Sequence, residues 1–127
     1  SIAFALTGSN IMIFQPILKK SSLYRYVRYA ERKYPLIIKK PISEKEEYTY
    51  TLPSKFNSSV IERSYDEKNI FGFAKIGIKK TKGSNILKVI KEIEINKTKI
   101  IQSKYRKFID FCLRLKEIEF QNVVIKE

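Results

Sequence analysis

A chain of 127 residues with 43% hydrophobic and 13% aromatic residues is one domain by size, 1–127, long enough to bury a core without covalent staples and too apolar for a disordered polymer. Its 26 Lys and Arg against 13 Asp and Glu leave a formal net charge of +13, which favours a polyanionic partner, nucleic acid first and an anionic membrane surface second. With no histidine and a single cysteine, Cys112, disulfides, His/Cys zinc sites, Ser–His and Cys–His catalysis and imidazole bases are excluded together.

Residues 1–18 carry no charge, but Thr7-Gly8-Ser9-Asn10 and Gln15-Pro16 interrupt them and they contain neither a basic n-region nor a clean small-residue cleavage site, so no membrane insertion is expected. Ser1 rather than Met opens the chain, as removal of a leading piece would leave it. Ile2–Leu6 and Ile11–Phe14 read as short buried strands around the Thr7–Asn10 turn. Ser21 or Ser22 caps an expected helix that runs to about Tyr34, where Pro35 stops it. On that helix Leu23, Val27, Ala30 and Tyr34 face the core, while Arg25, Arg28 and Arg32 form an exposed ridge with Tyr29 beside them.

Leu36–Lys39 and Glu47–Leu52 read as strands, linked by Pro41 and an acidic Glu44–Glu47 loop. The polar stretch from Pro53 to Lys68 offers only a short helical turn at Val60-Ile61. Asn69–Lys80 alternates as a strand, with Ile70, Ala74, Ile76 and Ile78 on a core face and Phe71, Phe73, Lys75 and Lys79 on the other. Two rings followed by two cations suit the stacking of unpaired bases and the neutralisation of the phosphates between them.

Thr81–Asn85 is a turn, after which Ile86–Ile93 has apolar residues at helical spacing, although Glu92–Ile95 also alternates like a strand. The clearest period lies in Thr98–Lys116. There Ile101, Tyr105, Phe108, Cys112 and Leu115 recur at steps of four and three, with Lys99, Arg106, Lys107 and Arg114 on the far side. Cys112 within that stripe reads as a small buried hydrophobe. Ile118–Ile125 closes the chain as a strand.

Positive charge is segregated. Residues 19–40 carry a net +7 and residues 75–107 a net +9, while 41–68 carry −2 and 108–127 carry −1. Two cationic blocks separated by an acidic insert invite the expectation that they converge on one surface.

Asn69–Ile76 resembles the first RNP motif of RNA-recognition-motif domains, through the aromatic-Gly-aromatic run Phe71-Gly72-Phe73. Asn69 stands where that motif has a basic residue, Ile70 where it has Gly and Ile76 where it ends on an aromatic. The resemblance implies that Phe71 and Phe73 stack bases, with Ala3-Phe4-Ala5-Leu6 as the partner motif. Gly77–Ser84 fails as a phosphate-binding loop, because Lys82 precedes the second glycine instead of following it. Asp66-Glu67-Lys68 with Glu47 has the spacing of a metal-dependent nuclease, but it lacks the preceding apolar strand that would fix the acids on a metal.

The expected fold is α+β, an antiparallel or mixed sheet with two to three helices packed on one face. The expected function is a non-catalytic, cytoplasmic accessory subunit of a replication, transcription or ribonucleoprotein complex, without cofactor or metal. It would bind single-stranded or structured nucleic acid alongside other protein subunits. Arg25, Arg28, Arg32, Lys75, Lys79, Lys80, Lys82, Arg106 and Lys107 are the expected phosphate contacts, and Tyr29, Phe71 and Phe73 the base contacts. The alternatives are a structural ribosomal or nucleoprotein-coat subunit, a protein-interaction module, and the nuclease built on Glu47, Asp66 and Lys68.

Overall fold

The computed structural model describes residues 6–7, 10–27 and 33–127. Its strands are β1 (Leu6–Thr7), β2 (Ile11–Phe14), β3 (Leu36–Ile37), β4 (Ile42–Thr51), β5 (Ile61–Lys68), β6 (Gly72–Lys80), β7 (Ile86–Ile95), β8 (Lys99–Ile100) and β9 (Val123–Lys126), with helix α1 (Tyr105–Glu119) between β8 and β9. β4, β7, β6 and β5, in that spatial order, make an antiparallel sheet; β1, β2 and β9 make a second, and β3 with β8 a two-residue ladder.

One face of the four-stranded sheet is core. Ala74, Ile76 and Ile78 of β6 and Leu87, Val89, Ile93 and Ile95 of β7 point inward. Side chains of α1 and β2 join them in one continuous cluster: Phe108, Phe111, Cys112 and Leu115 from the helix, Met12 and Phe14 from the strand. Phe14 meets the Tyr50 ring edge-on at 5.4 Å. Each such side chain taken out of water contributes about 1.5–3 kcal/mol, which is what fixes the register of every strand. Burial pushes the Cys112 thiol up to about 12, as an inert core residue requires.

The expectation of two to three helices on one face does not hold: among the described residues there is one α-helix, and strands dominate. Ile86–Ile93, expected as a helix, lies in β7. Its isoleucines and valine are β-branched and stiff, and β4 and β6 flank it on both sides, so period two wins over the helical spacing. Of the expected Ser21–Tyr34 helix, the described residues show a 3-10 turn over Ser22–Tyr26, capped by the Ser21 hydroxyl, which accepts from the Leu23 amide at 3.1 Å. Leu-Tyr-Arg-Tyr-Val is a weak helix former. Residues 28–32 of that segment, and Phe4 of the proposed partner motif, lie outside the described residues.

The acidic Glu44–Glu47 run belongs to β4 and not to a loop, and Val60-Ile61 leads into β5. β5 escapes a hydrophobicity reading because its inward residues, Ile61, Arg63, Tyr65 and Glu67, are only half covered. The helical stripe of Thr98–Lys116 appears as α1, but Ile101 lies outside it and is exposed.

A polar seam ties the segment before the 3-10 turn to the core. Buried Lys91 of β7 bonds Glu119 at the end of α1 at 2.7 Å and the Lys19 carbonyl at 2.6 Å. Glu119 also accepts from the Ser21 amide and the Tyr24 hydroxyl. Burial and then the Glu119 hydrogen bond push the Tyr24 phenol up, so it stays a neutral donor.

Candidate functional site

Alternation and register together compose the open face of the large sheet. β6 presents Phe73, Lys75, Gly77 and Lys79, and β7 presents Ile86, Lys88, Ile90, Glu92 and Glu94. The edge strands β4 and β5 add Lys45 and Glu47, and Glu62, Asp66 and Lys68. Lys45, Lys68, Lys75, Lys79 and Lys88 are thus matched by Glu47, Glu62, Asp66, Glu92 and Glu94. One row across the four strands reads Asp66, Lys75, Glu92, Lys45, alternating in sign at every step. Charges so arranged cancel within a Debye length of the surface, so the face offers a polyanion no net positive charge.

Nor does it carry the expected pair of rings. Phe71 is 3% exposed and lies edge-on against Phe108 of α1 at 5.3 Å, while Phe73 stands half-buried on the open face. Residues 69–71 form the hairpin loop between β5 and β6, and the strand begins only at Gly72. The Asn69 side-chain oxygen accepts from the amides of Phe71 and Gly72, and Gly72 has φ +153°. That dihedral reverses the alternation, so Phe71 turns inward and Ile70 outward.

The two cationic blocks meet elsewhere, on the β3–β8 ladder. Leu36 pairs with Ile100 and Ile37 with Lys99, and the Ile38 amide donates to the Thr98 carbonyl at 2.8 Å. This places Lys39 and Lys40 beside Lys97 and Lys99. The Tyr105 hydroxyl, at the start of α1, donates to the Tyr26 carbonyl at 3.1 Å, bringing Arg25 and Tyr26 to the same edge. Residues 33–40 and 97–107 contain eight Lys and Arg and no carboxylate.

A groove of about 630 Å³ opens there, lined among others by Arg25, Tyr26, Ile37, Lys39, Lys40 and Glu44. Arg25 lies over the Tyr26 ring, 4.9 Å from its centre, and donates to its hydroxyl at 2.9 Å, which holds the guanidinium in place. Burial alone would raise the Glu44 carboxyl, but donors from the Ser21 hydroxyl and from the Ser22 amide and hydroxyl hold it below the usual range. Glu44 therefore serves to fix the turn that carries Arg25.

Residues 10–125 match the family described as a domain of unknown function with solved-structure structure, DUF3858. The chain belongs to the DUF3858 family. Neither curated proteins nor solved structures give a match.

In this DUF3858 chain the expected site residues divide into four groups. Arg25 and the Arg106 end of α1 lie by the basic edge. Arg106 also pairs with Asp110 at 3.4 Å, and Lys107 lines a smaller hollow with Asn69 and Arg114. Phe73, Lys75 and Lys79 occupy the balanced sheet face, with Lys82 in the turn after β6. Phe71 and Lys80 are buried, which corrects their assignment as ligand contacts. Arg28, Tyr29 and Arg32 lie outside the described residues.

The nuclease trio is not assembled. Glu47 and Asp66 sit on opposite edge strands, about 14 Å apart at the usual strand spacing, too far to share one metal ion. Sequence reading of this DUF3858 chain missed Tyr26, Lys39, Lys40, Lys97 and Lys99 as neighbours. All four lysines fell inside the two basic blocks, but a two-residue ladder leaves no periodic signal to announce their meeting.

Proposed function

We propose that the chain is a non-catalytic binding module, working in a cytoplasmic setting as an accessory subunit, that holds a single-stranded or structured nucleic acid along its β3–β8 edge. One observation carries this reading: the short ladder joins the two cationic blocks through segments, residues 33–40 and 97–107, that contain no carboxylate, beside a groove that Glu44 also lines and that contains an aromatic ring and a fixed guanidinium. Phosphates are met by Arg25, Lys39, Lys40, Lys97 and Lys99, and a base can stack at Tyr26 or at Tyr34, which is 77% exposed. Neutralising about five phosphates of a single strand gives a slope of roughly −3.5 in log affinity against log salt.

The test replaces Lys39, Lys40 and Lys99 by Gln and measures fluorescence anisotropy with a single-stranded oligonucleotide at low and moderate salt. Affinity is expected to fall about tenfold or more at low salt, and the slope to shrink by about 2. Lys68→Gln with Lys75→Gln on the open face is expected to change little. Equal losses from both sets would sink the assignment to the edge.

A second reading has its own support. Ile37 and Ile101, 58% and 49% exposed, stand on the same strip and suit an acidic, amphipathic segment of a protein partner. Binding of poly-glutamate in preference to free oligonucleotide would favour it.

A further inference from the structure

The far end of the large sheet, where β6 turns into β7, has features that the edge reading does not use. Across the registers of β4, β5, β6 and β7, Lys79 opposite Lys88 is the one like-charge pair among the described residues. Side chains directly opposed on neighbouring strands have Cβ atoms about 4.5–5.5 Å apart, and like charges so placed repel. Among the described residues no carboxylate lies within ion-pair distance of either ammonium, although Glu62 is opposite Lys79 on β5. Between the lysines is an open hollow of about 360 Å³ whose walls also include Thr81, Ser84 and Ile86.

A third cation lies in the same turn. Lys80 is buried, and its ammonium donates to the carbonyls of Asn57 at 3.2 Å and Thr81 at 3.3 Å and to that of Ser59. Those acceptors satisfy its protons without neutralising its charge, since among the described residues no carboxylate reaches it. Burial pushes the Lys80 ammonium down, a cost that a nearby anion would reduce.

The turn is also held rigidly. The Gly83 amide donates to the Asn57 carbonyl at 2.7 Å, the Ile86 amide to the Ser84 hydroxyl at 3.1 Å, and the Leu52 amide to the Asn85 carbonyl at 2.7 Å. The main chain that carries Thr81 and Ser84 is therefore already ordered before a ligand arrives.

We infer that the β6–β7 turn is a discrete oxyanion site, in which a single phosphoryl or sulfuryl group sits between Lys79 and Lys88 within reach of the Thr81 and Ser84 hydroxyls. Glu62 beside Lys79, and Asp66, Glu92 and Glu47 further along the face, turn a long polyanion away, so the site takes one group and not a strand. From Lys88 to Ile95 β7 runs roughly 23 Å, which separates this turn from the basic edge. The inference rests on observations other than those behind the edge reading and does not depend on it.

The test follows thermal melting and amide chemical shifts while sodium phosphate replaces sodium chloride at constant ionic strength. Phosphate is expected to raise the melting temperature saturably and to move the amides of residues 79–88. Lys79→Gln with Lys88→Gln is expected to melt no lower in chloride, because repulsion is relieved, and to weaken phosphate binding about tenfold or more. The Lys39, Lys40 and Lys99 variant is expected to keep the full phosphate response, so that this site and the basic edge can fail separately. A response equal to that of chloride, or one that survives loss of Lys79 and Lys88 but not loss of the edge lysines, would overturn the inference. In the edge variant, a short oligonucleotide with a 5′-phosphate binding more tightly than its 5′-hydroxyl counterpart identifies a chain end as the source of the group. Equal binding of the two, with a response to inorganic phosphate, identifies the free ion.

Discussion

The open face of the large sheet and the β3–β8 edge both present exposed lysines, but the edge draws only on the two cationic blocks whereas the face also takes β4 and β5 from the acidic insert. On the face, strands of different charge lie side by side, so Lys75 has Asp66 on one side and Glu92 on the other. At the edge, β3 and β8 come from the two cationic blocks, and Lys39, Lys40, Lys97 and Lys99 gather with no carboxylate in their own segments. Alternation along a strand decides which residues share a face, whereas pairing across strands decides whether their charges add or cancel. Charge counted along a segment speaks only to the first.

The largest effects should come from the buried groups beneath both regions. Lys91→Ala removes the ion-pair partner of buried Glu119, a loss of about 3–5 kcal/mol in urea unfolding, whereas Lys91→Met with Glu119→Leu should recover much of it. Phe71→Ala should likewise cost about 3–5 kcal/mol, as a core ring does. A stable Phe71→Ala variant with weakened oligonucleotide binding would return that ring to the surface and break the contrast drawn above.

Next in size is a gain. Asp66→Lys with Glu92→Lys converts the alternating row into four lysines, and affinity for single strands at low salt should rise about tenfold if cancellation is what silences the face. No gain would mean that the strip at the edge owes its role to shape and not to charge. A smaller effect concerns pH. The Arg114 guanidinium, bonded to Glu67 at 2.8 and 2.9 Å, holds that carboxyl down at about 2, so its contribution to stability is complete above about 4.5 and lost as the pH falls towards 2. Arg114→Gln should flatten that part of the acid limb in unfolding midpoints measured between pH 7 and pH 2. Smallest of all, Phe73→Ala should shift stability by under about 1 kcal/mol, and a larger loss would mean that the open face is covered in solution.

Some of this was legible from residues alone. The stripe through Tyr105, Phe108, Cys112 and Leu115 repeats over about three turns, and α1 follows it. β7 was not legible, since Ile86, Leu87, Val89, Ile90 and Ile93 fit both periods and only the flanking strands decide between them. β5 was hidden because a half-covered strand tolerates Arg63 and Glu67 on its inner side. Lys80 looked like its exposed neighbours until carbonyls from a separate loop closed over it. The place where residues 36–40 meet residues 97–100 depends on a ladder too short to leave a pattern in the sequence.

Gly72 has a consequence for the lineage of this architecture. A methyl group added there would meet the Glu94 carbonyl oxygen at 1.9 Å, closer than any rotamer change can relieve, because the obstacle is main chain. Descendants that keep this hairpin should retain glycine at that place through any drift in the rest of the strand. One that has lost it should show a rebuilt entrance, with the aromatic before it released from the interior.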